Sequence, residues 1–157
     1  AIGAPLDRLL EPIPLLYAKT SVTRPEHVAT LDITLEQLHE DLEAAEYEPQ
    51  PLASIADDWN GRTERSSWAR YYGPKYAEGW WPQRVTTALP EWTRRRQVHV
   101  RPFADDVDGP VTATAHAEYN PWRPLLALAH LLGIGLDREE GVRLASEDLG
   151  LERRETV

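Results

Sequence analysis

Two alternating runs, Gln97 to Ala104 and Val111 to Tyr119, constrain this chain more than any other feature. In the first, Val98 and Val100 alternate with Gln97, His99 and Arg101. In the second, Val111, Ala113, Ala115 and Ala117 alternate with Thr112, Thr114, His116 and Glu118. Successive side chains of a strand point to opposite faces, so each run predicts a strand with one apolar and one polar face. Asp105 to Pro110 supplies the turn, which makes the pair an antiparallel hairpin. The alanine-lined face predicts a helix lying close on the sheet, because only small side chains let the two backbones approach.

The register that closes this hairpin between Phe103 and Thr112 sets His99 opposite His116 and Gln97 opposite Glu118. Directly opposed residues have Cβ atoms ~5 Å apart, close enough for two imidazoles and a carboxylate to share a zinc-like ion. The same spacing lets a His-Glu pair work as acid and base. A slip of two residues would leave the histidines diagonal. Against both chemistries stand two plainer roles, a solvent-facing polar strand surface and a structural hydrogen-bonded cluster.

The rest of the chain supplies further elements. Pro5 to Tyr17 predicts a short helix with an extended tail, limited by Pro12 and Pro14. His27 to Ile33 predicts a strand. Thr34 with Gln37 forms a capping box for a helix whose apolar stripe is Leu35, Leu38, Leu42 and Ala45. A strand is expected over Leu52 to Asp57, then a hairpin turn at Asn60-Gly61 and a returning strand over Arg65 to Tyr72. Gly73 to Thr93 has no period and crowds Gly, Pro and aromatic residues together, which predicts a long ordered loop with one short helix near Val85 to Leu89. Pro121 and Pro124 open a helix running to Gly133, and Asp137 caps the last one, which carries Val142, Leu144, Ala145 and Leu149.

These elements predict one α+β domain over residues 1–157, with an antiparallel sheet of about five strands and helices packed mainly on one face. Residues 1–26 form a helix plus an extended lead-in, 73–93 an aromatic-rich loop that is the natural cover for the second sheet face, and 152–157 a frayed tail.

Composition narrows the chemistry. With no cysteine, disulfides, thiolate metal sites and cysteine nucleophiles are excluded, so any metal must be held by His, Asp or Glu. The net charge is −9, and the bases comprise two lysines, Lys19 and Lys75, against 15 arginines. Such an acidic, arginine-biased composition suits a salt-in cytoplasm, where molar salt cuts the screening length to ~3 Å and suppresses self-repulsion. It argues against a nucleic-acid role, which needs a basic field. No run approaches the ~20 apolar residues of a spanning helix, and no secretion signal opens the chain, so a soluble cytoplasmic protein without membrane contact is expected.

Other candidate sites are weaker. Trp80 and Trp81 lie together in the Gly/Pro-rich segment and suit an exposed patch for a protein partner or a second copy of the chain. Trp68 and Trp122 are expected in the core. Arg94, Arg95, Arg96 and Arg101, with Trp92 beside them, can grip a phosphate or carboxylate ligand, although carboxylate pairing within the fold is the commoner use. The two last helices have helix-turn-helix spacing at Ala129 and Gly133, but the second opens with Asp137, Arg138, Glu139 and Glu140, which would aim carboxylates at a DNA groove. No nucleophile elbow, phosphate loop, HExxH or EF-hand pattern is present, so no motif names a cofactor.

The phrases HVATLDITLEQLHEDLEAAEY, RRRQVHVRPF and AHAEYNPWRP resemble a haloarchaeal family of uncharacterised proteins. The resemblance covers most of the chain and implies a halophilic setting but no chemistry. The leading expectation is a non-catalytic binding module that self-associates through its aromatic patch. The alternative is a small metal- or His/Glu-dependent enzyme on the polar sheet face, and a nucleic-acid-associated protein ranks last.

Overall fold

The structure, a computed structural model, describes residues 26–50, 58–59, 61–75, 78–106 and 108–151. The helix expected over Pro5 to Tyr17, the strand over Leu52 to Asp57 and the tail at 152–157 lie outside these residues. The fold is α+β.

Strand β1 (His27–Leu31) leads directly into helix α1 (Leu35–Ala44). The capping box forms as its sequence requires: the Thr34 hydroxyl accepts from the Gln37 amide, and the Gln37 side chain accepts from the Thr34 amide at 2.9 Å. Leu38 and Leu42 are fully buried. The helix ends with Glu46 in the left-handed region, φ 63°, while Tyr47 N–H donates to Leu42 O and Glu46 N–H to Glu43 O.

Short β2 (Glu48–Pro49) pairs with β5 (Trp68–Lys75). The hairpin β3 (Asp58–Trp59) and β4 (Arg62–Glu64) turns at Gly61, φ 79°. Then come α2 (Gln83–Ala88), a 3-10 turn (Glu91–Thr93), β6 (Arg94–Ala104), β7 (Val111–Tyr119), α3 (Pro124–Leu131) and α4 (Arg138–Asp148). The described strands form one seven-stranded antiparallel sheet in the order β1-β7-β6-β4-β3, with β5 also on β6 and β2 on β5.

The returning strand expected over Arg65 to Tyr72 starts earlier and is interrupted: β4 covers Arg62–Glu64, residues 65–67 belong to no strand, and β5 resumes at Trp68 opposite the part of β6 before Pro102. β4 pairs with Phe103 and Ala104, and β5 with Arg94 to Val100. Pro102 O accepts from Arg65 N–H at 2.9 Å, so the backbone of residue 102 faces β4 and β5, where proline has no N–H to donate. The ladder breaks there. Ser67, two residues before Ala69, which pairs with His99, falls on the His99 side and is 4% exposed.

One face of the sheet carries the apolar core. Val98, Val100, Val111, Ala113 and Ala115 pack with Leu38 and Leu42 of α1 and with Ala145 and Leu149 at the α4 end. The close approach predicted from the alanines is present, and Gly141 carries it furthest: a Cβ there would lie 2.2 Å from the His116 Cα and carbonyl carbon. Trp68 is buried, as expected. Trp122 is not, at 45% exposed, because it follows the β7 end on the turn into α3.

The second face departs from a solvated strand surface. Gln97, His99, Arg101, Thr112, Thr114, His116 and Glu118 are all buried. The tryptophans of the segment expected to cover this face point elsewhere, with Trp80, Trp81 and Trp92 exposed. Glu26, Glu64, Ser67 and His130 meet the polar face instead. Among the described residues, no helix is long and apolar enough to cross a membrane.

Candidate metal centre

The β6–β7 register is the one that hairpin closure dictates. His99 pairs with His116 and Gln97 with Glu118. His116 and Glu118 are two apart on one strand, so they share its polar face with His99. His99 Nδ1 lies 3.2 Å from His116 Nε2. Glu118 spans both rings, with Oε1 3.5 Å from His99 Nδ1 and Oε2 3.5 Å from His116 Nε2.

That spacing is informative. Zinc bonds of ~2.0–2.1 Å at tetrahedral angles place neighbouring donors roughly 3.3–3.4 Å apart. The 3.2 Å between the two ring nitrogens is close to this value, and each nitrogen has a different Glu118 oxygen at 3.5 Å. An octahedral ion with bonds of the same length would draw adjacent donors to about 2.9 Å, and two imidazoles disfavour hard calcium or magnesium.

Each donor group is also oriented from behind. His99 uses its other nitrogen, Nε2, in a hydrogen bond with the Ser67 hydroxyl. The outer nitrogen of His116, Nδ1, faces the Glu26 carboxylate at 3.8 Å, and Arg138 Nε donates to that carboxylate at 3.0 Å. Gln97 Nε2 donates to Glu118 Oε1 at 2.8 Å. His130 Nδ1 lies 3.2 Å from Glu118 Oε2 and 3.0 Å from Tyr119 O, two acceptors that require the proton on Nδ1. Beside the cluster, Arg101 bridges both oxygens of buried Glu64, from Nε at 3.1 Å and Nη2 at 2.7 Å.

The electrostatics pull the two histidines apart. Burial, against which the Glu118 contact is insufficient, pushes His99 down to about 4. Burial acts equally against charged His116, but the carboxylates of Glu118 and Glu26 outweigh it and hold the ring up at about 9. Burial would raise Glu118, yet His116 and His99 keep its carboxyl well below the ordinary range. The metal-free site therefore holds neutral His99, an imidazolium at His116 and an ionised Glu118.

Two chemistries fit these atoms. A metal would be held by the lone pairs of His99 Nδ1 and His116 Nε2, and Ser67 would then accept from His99 Nε2–H. Alternatively, Ser67, His99 and Glu118 stand in the order of a nucleophile, base and orienting acid. That relay needs the opposite tautomer of His99, with its proton on Nδ1, and a serine open to substrate, whereas Ser67 is 4% exposed.

The remaining candidates are dispersed. Arg96 belongs to the opposite face of β6 from Arg101, where it donates to the Tyr72 hydroxyl at 2.8 Å and to Gly135 O. Arg94 pairs with Glu91. Trp92 is 51% exposed and Trp80 91%. Ser67, Glu26 and His130 could not be singled out from local pattern. Glu26 precedes β1 and reaches His116 only through β1–β7 pairing, Ser67 reaches His99 only through β5–β6 pairing, and His130 resembles a stray polar residue on an apolar helix. No family model, curated protein or solved structure matches the chain, so the reading of this centre rests on its geometry.

Proposed function

We propose that this domain binds a divalent transition-metal ion, zinc by preference, through His99 Nδ1, His116 Nε2 and the Glu118 carboxylate. The observation that carries the reading is the buried cluster of His99, His116 and Glu118, in which one donor atom from each lies within 4.8 Å of the others and the two ring nitrogens are 3.2 Å apart. Three protein ligands leave a fourth tetrahedral position for water or a substrate atom, the arrangement of catalytic rather than structural zinc. The chemistry this supports is activation of a bound water for hydrolysis.

Cobalt(II) titration of the full chain at constant high KCl tests both parts. A tetrahedral site gives strong visible absorption, and an open position makes those bands shift on adding azide. Absence of cobalt absorption would remove the metal reading. Bands indifferent to azide would make the site structural.

A second reading is supported by the aromatic segment. Trp80 is 91% and Trp81 56% exposed, and Trp81 borders a groove of about 570 Å³ with Lys75, Glu78 and Thr86. Single exposed aromatics are ordinary, but two adjacent tryptophans suit association with a second copy of the chain. A Trp80→Ser, Trp81→Ser variant should stay folded and lose any self-association seen by light scattering in molar KCl. A monomeric wild type would end this reading.

A further inference from the structure

We propose that Glu26 is the positioning residue that makes His116 a metal ligand, and that through Arg138 it ties the metal centre to the docking of α4; this rests on the metal reading above. An imidazole that binds a metal through one nitrogen must carry its proton on the other. A carboxylate behind that second nitrogen selects the tautomer, fixes the ring and strengthens the donor. Glu26 occupies this place on His116. It is 3% exposed, and its Oε1 faces Nδ1 at 3.8 Å. A closing of about an ångström makes this a hydrogen bond.

What brings Glu26 there is the edge of the sheet. β1 pairs with the first half of β7, His27 opposite Thr114, and the irregularity between His27 and Ala29 lets the chain swing past the ladder. Beyond β1, the freed edge of β7 is taken by the entry to α4, where Ala117 and Asp137 exchange backbone hydrogen bonds of 2.7 Å. One residue later, Arg138 donates to Glu26. Three residues after that, Gly141 rests on the His116 backbone. The first turn of α4 thus grips His116 from two directions, by its backbone directly and by its imidazole through Arg138 and Glu26. Among the described residues, the neutral Ser67 hydroxyl stands behind His99 where a carboxylate stands behind His116.

Glu26→Gln keeps the shape and removes the charge. Zinc affinity is to be measured by competition with a chromophoric chelator, on the full chain at fixed KCl, for wild type, Glu26→Gln and Arg138→Gln. Glu26→Gln should weaken zinc 10- to 100-fold, and Arg138→Gln by less. In the zinc-loaded protein, nitrogen-15 NMR should show the His116 Nδ1 proton strongly downfield in wild type and shifted upfield in Glu26→Gln, a change that a general loss of stability would not produce. Zinc binding within twofold of wild type, or an unmoved Nδ1 proton, would overturn the role of Glu26 while leaving the metal site standing. A wild type that binds no zinc would remove the metal site itself, and this inference with it.

Discussion

His99 and His116 meet edge to face across β6 and β7, ring centroids 5.0 Å apart and planes at 84°, with a nitrogen of one aimed at a nitrogen of the other. Two buried nitrogen donors held this way over a carboxylate need something positive between them. The raised His116 imidazole can supply it as a proton, and under the proposed function a metal ion would take that place.

The proton version makes stability depend on pH in both directions. His99 is depressed from 6.5 to about 4, so between those values the unfolded chain binds a proton that the folded chain refuses, and stability rises with pH. His116 is raised from 6.5 to about 9, so from 6.5 upward the folded chain keeps a proton that the unfolded chain has lost, and stability falls. Each limb has a slope of up to ~1.4 kcal/mol per pH unit. The melting temperature of metal-free protein should peak near pH 6.5. A flat profile from pH 5 to 9 would contradict the charge assignment.

Under the proposed function, metal and proton would compete for His116. Since this ring stays protonated up to about pH 9, zinc binding at pH 7 should release about one proton, and zinc affinity should rise about tenfold per pH unit from 7 to 9. Calorimetry in buffers of different ionisation enthalpy reads the proton count directly. Zero protons released at pH 7 would contradict an imidazolium at His116.

Gly141→Ala tests the seat of α4. Its new methyl would meet the His116 backbone at 2.2 Å, with no flexible side chain to yield. We expect a loss of about 1–3 kcal/mol or more, together with weakened metal binding. Ser146→Gly, elsewhere on the same helix, should cost only about 0.5 kcal/mol, the difference in helix propensity, and spare the metal. Equal behaviour of the two variants would contradict the close packing.

The acid excess carries its own test. With a net charge of −9, circular dichroism should show a cooperative fold in molar KCl and partial unfolding at low ionic strength. A melt independent of salt would contradict this.

The centre of the site was legible because its residues sit in two alternating strands joined by a short turn, where parity and closure fix both face and register. His99, His116 and Glu118 follow from that alone. Burial of their face does not follow, because polar residues on a strand read as solvent-facing, and what covers them here comes from distant chain: Glu64 and Ser67 beside the Pro102 break, His130 from α3, Glu26 from before β1. Position 102 did carry a readable signal, a proline inside a central strand. The tryptophans divide for a different reason: the residue marks apolar area without saying which neighbour takes it, so Trp80 and Trp81 stand exposed as a patch would, while Trp122, expected in the core, is 45% exposed.

The most direct measurement is the melting temperature of the full chain at constant high KCl, with and without zinc, for wild type and a His99→Ala, His116→Ala double variant. Zinc in 100-fold excess over its dissociation constant should stabilise the wild type by ~2.7 kcal/mol and leave the double variant unmoved. Identical melting of the wild type with and without zinc, manganese and nickel would contradict the metal centre outright.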